Sequence, residues 1–335
     1  KFGPLFLNSG RSRATLGLGH GKLLLGHELP PLDVFRASVN FGKYFKFYNY
    51  MMPLNNISFG NLTESDLPKY LLAHRLSLDL PPYIRIAGSE LIIMNSYLKW
   101  NYLNPLIVYH NVTNADLVNI LTSFDIEFVP FRNVRGFLSI AIDEIDFYAI
   151  EPEAETKRDS RLAMGIQAGI KYINPLGLKN STLNIEYVNT DRWLYNYQVS
   201  DISKDITYTF VEKIEFPQSH YFYRHVGHYL GSNAEAYFLD FEFNSISFHL
   251  NNINRGNNHI LDVQNTWDES LPNIIENSTT LYFEFEDNFY ENRIDIKSRF
   301  GYTWVDNYHH IAHEKYQYPE LWFSLNYKLL LLTDI

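Results

Sequence analysis

Long stretches of this chain alternate polar and apolar residues at a period of two, which limits what it can fold into more than any other feature. Residues 292–304 set Arg293, Asp295, Lys297 and Arg299 against Ile294, Ile296, Ser298, Phe300, Tyr302 and Trp304. Residues 117–129 set Asn119, Ser123, Asp125 and Glu127 against Val118, Ile120, Phe124, Ile126 and Phe128. In 159–173, Arg161, Gln167 and Lys171 oppose Leu162, Met164, Ile166, Ile170 and Tyr172; in 235–243, Asp240 and Glu242 oppose Tyr237, Leu239, Phe241 and Phe243. Successive side chains of a strand point to opposite faces, so each stretch has one apolar and one charged face. A soluble sandwich and a transmembrane barrel both produce this pattern, and length separates them. Soluble strands average about five or six residues, whereas a membrane strand needs roughly 9–11 to cross the core at a tilt. The segments 69–80, 83–94, 115–129, 135–147, 159–173, 181–192, 292–304 and 319–333 all reach that length.

The connections point the same way. Outer-membrane barrels alternate short periplasmic turns with longer outside loops. From the C-terminal end, 305–318 is long, 289–291 short, 254–278 long, and Asn244 marks a tight turn; 193–234 is very long and 174–180 short. Further back, 148–158 is long, 130–134 short, 95–114 long, Pro81-Pro82 short, 53–68 long and Gly42-Lys43 short. The expected fold is all-β: an antiparallel transmembrane β-barrel of about 16 strands, within 14–18. Residues 2–8, 13–19 and 22–26 count as short strands before residue 34.

Composition excludes several classes. The net charge of -10 offers no basic surplus for a nucleic-acid partner. Zero cysteines remove disulfide scaffolds, thiolate metal sites and thiol catalysis. No run of about 18 apolar residues could form a membrane-spanning helix. Aromatics at 16% beside charged residues at 20% suit a lipid-facing wall with aromatic girdles more than a soluble enzyme. The chain opens directly on "KFGPLFL", so it is expected to be a processed or trimmed form of a secreted protein.

Several strings, in order over about 17–255, resemble the capsule assembly (Wzi) family. They are "GLGHGKLLLGHELPPLDVFRASV" (17–39), "LLAHRLSLDLPPYIRIAGSELII" (71–93), "YLNPL" (102–106), "AIDEI" (141–145), "LNIEYV" (183–188) and "YRHVGHYLGSNAEAYFLDFEF" (223–243). Pro30, Pro31, Asp33 and Arg36 stand where that family's signature loop falls. The resemblance implies a large outer-membrane barrel that holds or organises capsular or other surface polysaccharide, lectin-like and without catalysis. The periplasmic helical plug that the family commonly carries has no counterpart in this sequence, so either N-terminal elements are missing or the lineage differs, and the plug's function does not carry over. The last 80 or so residues match only as generic barrel.

Within that frame, a mixed-sign charge network is expected to fill the lumen: Arg75, Arg85, Glu90, Asp125, Glu127, Asp143, Arg161, Glu186, Asp240, Glu242, Arg293, Asp295 and Arg299, together with Asp79. Polysaccharide-binding candidates are the loop aromatics Trp193, Tyr195, Tyr197, Tyr208, Tyr221, Tyr223, Trp267 and Tyr308, whose ring faces can stack on sugar C–H groups. Trp304, Tyr302 and Tyr318, near strand ends, are expected in the girdle. Paired carboxylates such as Asp240 with Glu242 could suggest glycoside hydrolysis, but carboxylates on one strand face suit a wet lumen equally well. The histidines at 225 and 228, and at 309, 310 and 313, are read as packing or loop residues, with no metal and no cofactor expected. Gly17, Gly19 and Gly21 lack the following helix that a phosphate loop requires; they suit a tight turn and a close backbone approach. The whole chain, 1–335, is expected to be one barrel domain, a monomer in the bacterial outer membrane whose partners are polysaccharide and outer-membrane lipid. A diffusion channel with a charged lumen is the alternative function.

Overall fold

The computed structural model describes residues 4–55, 67–98, 102, 104, 109, 118–143, 163–192, 194–195, 209–215, 219–256, 274–289 and 294–327. Its strands are β1 (Leu5–Ser12), β2 (Leu32–Phe41), β3 (Phe45–Leu54), β4 (Lys69–Leu80), β5 (Ile84–Asn95), β6 (Val118–Phe131), β7 (Val134–Asp143), β8 (Ala163–Ile173) and β9 (Ser181–Thr190). They continue with β10 (Thr209–Glu215), β11 (Ser219–His225), β12 (Ala234–Phe243), β13 (Ile246–Arg255), β14 (Glu276–Phe289), β15 (Ile294–Asp306) and β16 (Lys315–Tyr327). Fourteen of them form one antiparallel sheet in chain order; β10 and β11 pair only with each other, as a hairpin in the connection between β9 and β12. The expected number of strands is present, but two of them stand outside the wall. Among the described residues no ladder joins β1 to β16.

The register sorts the side chains by chemistry. One face carries Arg75 opposite Ser89, Asp79 opposite Arg85, Asp125 opposite Ser139, Asp240 opposite His249 and Glu284 opposite Arg299. The other carries Leu76, Phe124, Ile170, Ile185, Leu250, Phe283, Phe300 and Leu321, all exposed, Phe300 at 60% and Leu321 at 83%. A water-soluble sheet does the opposite, burying its apolar face.

The sheet wraps around its polar face. Val34 of β2, Met52 of β3, Leu71 of β4, Leu91 of β5, Leu121 of β6, Ala141 of β7, Val188 of β9 and Ala236 of β12 belong to one contact cluster, with Ile253 of β13 packed against it. In a flat sheet with about 4.8 Å between strands, β2 and β13 would lie roughly 40 Å apart. Only a curled wall brings them onto one core.

What fills that core is the connection between β1 and β2. The short strands expected at 13–19 and 22–26 are not in the wall; a single bridge, Leu16 with Leu25, is their remnant. Leu23, Leu24 and Leu25 are each 0% exposed. A strand in the wall buries alternate residues on its inner side, so three consecutive buried leucines require surroundings on all sides. Each such side chain contributes about 2 kcal/mol of apolar burial. The segment therefore sits inside the wrapped sheet as a plug.

The strand ends joined by 42–44, 81–83, 132–133, 174–180, 244–245 and 290–293 lie at one end of the wall; those joined by the longer connections, including 13–31, 96–117, 191–233 and 307–314, lie at the other. The expected alternation holds, with the final long connection shorter than expected because β16 begins at Lys315. Asn244 turns the chain at φ 51°, a left-handed conformation that asparagine tolerates. The plug's partners lie towards the long-connection ends of their strands, so it sits in that mouth.

Candidate functional site

Three stretches meet at the mouth: the plug, residues 194–195, and the turn 226–231 that leads into β12. The phenol of Tyr195 donates to the carbonyl of Leu23 at 2.6 Å and accepts the amide of His228 at 3.1 Å. The amide of Gly26 donates to the carbonyl of Val226 at 2.7 Å. The guanidinium of Arg224 donates to the carbonyl of Glu28 at 3.3 Å. Burial pushes the Tyr195 phenol up and the His228 imidazole down to about 3, so both are uncharged donors and acceptors at neutral pH.

Glycines make the approach possible. A Cβ on Gly21 would stand 2.1 Å from Nε2 of His228, one on Gly26 2.2 Å from the carbonyl oxygen of Gly227, and one on Gly227 2.4 Å from the Tyr195 ring. Of the run Gly17, Gly19, Gly21, the last two thus serve close packing, Gly19 against the Gln167 side chain and Gly21 against His228, while a Cβ on Gly17 would meet only ordinary contacts.

The wall carboxylates reach the same assembly. Glu186 accepts the His20 amide with both oxygens, each at 3.0 Å, and the Gln167 side chain at 2.6 Å. Asp143 accepts the Tyr195 amide at 2.9 Å. Two residues expected in a charge network thus hold backbone at the mouth, Glu186 that of the plug and Asp143 that of Tyr195. Nearby Lys22 donates to the Gly19 carbonyl at 3.2 Å, and burial lowers its pKa.

The remaining network is of mixed sign. Arg75 pairs with Asp125, which also accepts the Ser139 hydroxyl, and donates to Ser89 at 3.0 Å. Towards the short-turn end, Lys46 and Arg85 each reach Asp79 at 2.7 Å, Arg85 lies 3.6 Å from Glu127, and Arg135 pairs with Glu127. Asp240 binds His249 at 2.6 Å; Glu284 pairs with Arg299, which lies 4.6 Å over the Tyr282 ring. Glu242 is exposed at the short-turn end, and Asp295 sits on the same inner face. Lys46, Arg135, His249, Tyr282 and Glu284 were missed in the sequence, although their neighbours there were named.

Some expectations need correcting. Glu90 does not join the lumen network. It faces outward with His74, 3.1 Å away, and accepts the Tyr109 amide at 2.9 Å while the Tyr109 ring stacks on His74 at 4.5 Å. Tyr102 and Tyr109 pack there against Leu72, Ile92, Met94 and Val118, so part of the 96–117 connection folds down over the outside of the wall. Tyr195 is 1% exposed and engaged in the plug, which removes it from the free loop aromatics. Tyr318 pairs in register with Thr303 and so shares the polar face, whereas Tyr302 and Trp304 lie on the apolar face at the long-connection end, where a girdle belongs.

Tyr308 is half-buried beside Tyr316 at the mouth. Trp193, Tyr197, Tyr208, Trp267, Arg161 and Arg293 lie outside the described residues, as do the side chains of Tyr221 and Tyr223 in β11. Of the signature loop, Pro31 accepts from Arg11 at 3.2 Å and Arg36 lies 4.9 Å over the Tyr50 ring. Asp33 is opposite Arg11 in the β1–β2 pair, and Pro30 stands next to last in the 13–31 connection.

A solved structure resembles this wall. It is Wzi, an outer membrane protein involved in group 1 capsule assembly in Escherichia coli and a carbohydrate-binding β-barrel, similar over 92% of this chain with a TM-score of 0.59 and 13% identity. The chain has that barrel's fold. It spans 65% of the length of the Wzi chain. No family model and no curated protein sequence matches it. What is shared with Wzi is therefore the architecture, an antiparallel barrel, in place of side-chain identities.

Proposed function

We propose that this protein is an outer-membrane barrel that binds surface polysaccharide and does so without catalysis. The observation that carries the reading is the filled mouth. An apolar plug, tied to the wall directly by Glu186 and through Tyr195 by Asp143, occupies the long-connection end of the wall. A conduit for solutes has no use for such an obstruction, whereas a surface anchor needs a rigid platform under its loops. The exposed apolar face of the wall supports the lipid environment, and the likeness to a carbohydrate-binding barrel supports the ligand class. Asp125, Asp143 and Glu186 are occupied by guanidinium, hydroxyl, side-chain amide or backbone amide donors, which supports a structural role for these carboxylates over a catalytic one.

One observation favours the alternative of a diffusion channel: the core cluster takes in no buried residue of β14, β15 or β16 among the described residues, so the plug leaves that side of the wall unpacked. Single-channel recording in planar bilayers decides between them. Stable insertion without steady current, together with retention of surface polysaccharide by cells expressing the protein, is the expected result. A steady ion-selective current without polysaccharide retention would replace the binder with the channel.

A further inference from the structure

The unpacked side of the wall is aromatic. On the inner face of β16 stand Tyr316, Tyr318 and Trp322, exposed by 46%, 36% and 51% respectively. Other inner-face aromatics such as Tyr50 and Phe238 are buried in the core. The series begins in the 307–314 connection, where Tyr308 stacks on Tyr316 with ring centroids 4.7 Å apart; Tyr316 and Tyr318 follow at 5.5 Å. Trp322 lies four residues further along the same face, about 14 Å on at roughly 3.4 Å per residue. A hollow of about 490 Å³ opens beside it, lined by Arg299, Pro319, Glu320, Leu321 and Trp322.

We propose that the inner face of β16 is a stacking track for an uncharged saccharide chain, entering at Tyr308 and passing Tyr316 and Tyr318 to Trp322. This rests on the reading of the protein as a saccharide-binding barrel and moves the contact from the loop tips onto the wall. An exposed ring presents an electron-rich face on which the C–H face of a sugar can lie. The polar groups beside the track suit hydroxyls. Glu320 accepts from Thr303 at 3.1 Å and retains further acceptor capacity for sugar O–H groups, and Arg299 supplies donors. Charge selects against acidic polymers. Arg299 is paired with Glu284 and Lys297 with Glu286, so Glu320 leaves the belt around Trp322 net negative.

Calorimetry on the refolded protein in detergent, with maltohexaose and the acidic hexagalacturonate as probes, tests the track. Maltohexaose should bind at least tenfold more tightly than the acidic hexamer. Trp322→Ala should weaken it at least tenfold and Tyr318→Ala several-fold. Trp304→Ala, on the opposite face of the sheet, should leave binding unchanged and controls for folding. Equal binding by Trp322→Ala, a preference for the acidic hexamer, or no binding of maltohexaose overturns the track. Retention of surface polysaccharide on cells separates the two levels. Retention by the wild type with no maltohexaose binding discards the track and keeps the binder; loss of both discards the binder as well.

Discussion

The phenol of Tyr195 donates to the carbonyl of Leu23 across a separation of 172 residues, and the same oxygen accepts the amide of His228. One hydroxyl thus satisfies a carbonyl of the plug and an amide of the turn that packs on it. Tyr195→Phe would strand both groups in a buried site, costing about 1–3 kcal/mol for each. Hydrogen exchange should speed up at 23–26 and 226–230 while the wall strands keep their protection. Unchanged exchange at both segments would show that the hydroxyl holds nothing.

Glycine positions in the plug should tolerate methyl groups unequally. Gly26→Ala drives its Cβ against the backbone carbonyl of Gly227, which cannot turn aside, whereas Gly88→Ala meets nothing within 4 Å. The first variant should refold with a disordered mouth and an altered single-channel record, and the second should match the parent. Equal behaviour would contradict the close approach.

The Arg75–Asp125 pair is buried, so removing one partner differs from removing both. Arg75→Met leaves the Asp125 charge without its guanidinium and should lower stability by about 3–5 kcal/mol. The double change with Asp125→Leu should recover much of that loss. Denaturant titration of both variants in the same detergent provides the comparison; a double variant no better than the single would mean that the pair adds net stability.

Acid should loosen the mouth before the wall. Burial lowers His228 to about 3 and His225 to about 4, from 6.5. Below pH 6.5 the opened chain takes up protons that the packed form refuses, so the contribution is complete above that value and declines towards pH 4. The opening constant should rise by up to about tenfold per pH unit for each ring. Exchange at 226–230, after correction for its intrinsic pH dependence, gives the profile; a flat one between pH 7.5 and 4.5 would mean that the rings protonate in place.

Depth in lipid should grade the cost of a charge on the apolar face. Phe300 stands mid-way along β15 and Ile296 nearer its short-turn end. Phe300→Arg should cost about 2–4 kcal/mol and Ile296→Arg less. Folding titrations into lipid vesicles would show it, and a Phe300→Arg protein stable without detergent or lipid would remove the membrane reading.

The wall was legible because its two faces differ so sharply: the alternation around Arg299 and around Asp125 gives strand, face and neighbour together. Glu90 was misplaced although the sequence held the correction. It lies five positions from Arg85 on one strand, an odd number, so the two cannot share a face. The plug was harder. Residues 22–26 have the composition of a strand, and only the burial of three successive leucines, a tertiary fact, shows otherwise. Tyr195 looked like its loop neighbours because nothing local marks a hydroxyl whose partners lie at Leu23 and His228.

That separation along the chain also orders events in time. The plug leaves the wall after β1, yet the groups that lock it come from β9, from Tyr195 and from the turn before β12. Until more than half of the chain is in place, Leu23, Leu24 and Leu25 have no finished cavity to enter. They are made well before the groups that house them, so for much of its assembly the nascent barrel carries an exposed greasy segment that must be kept from finding another partner.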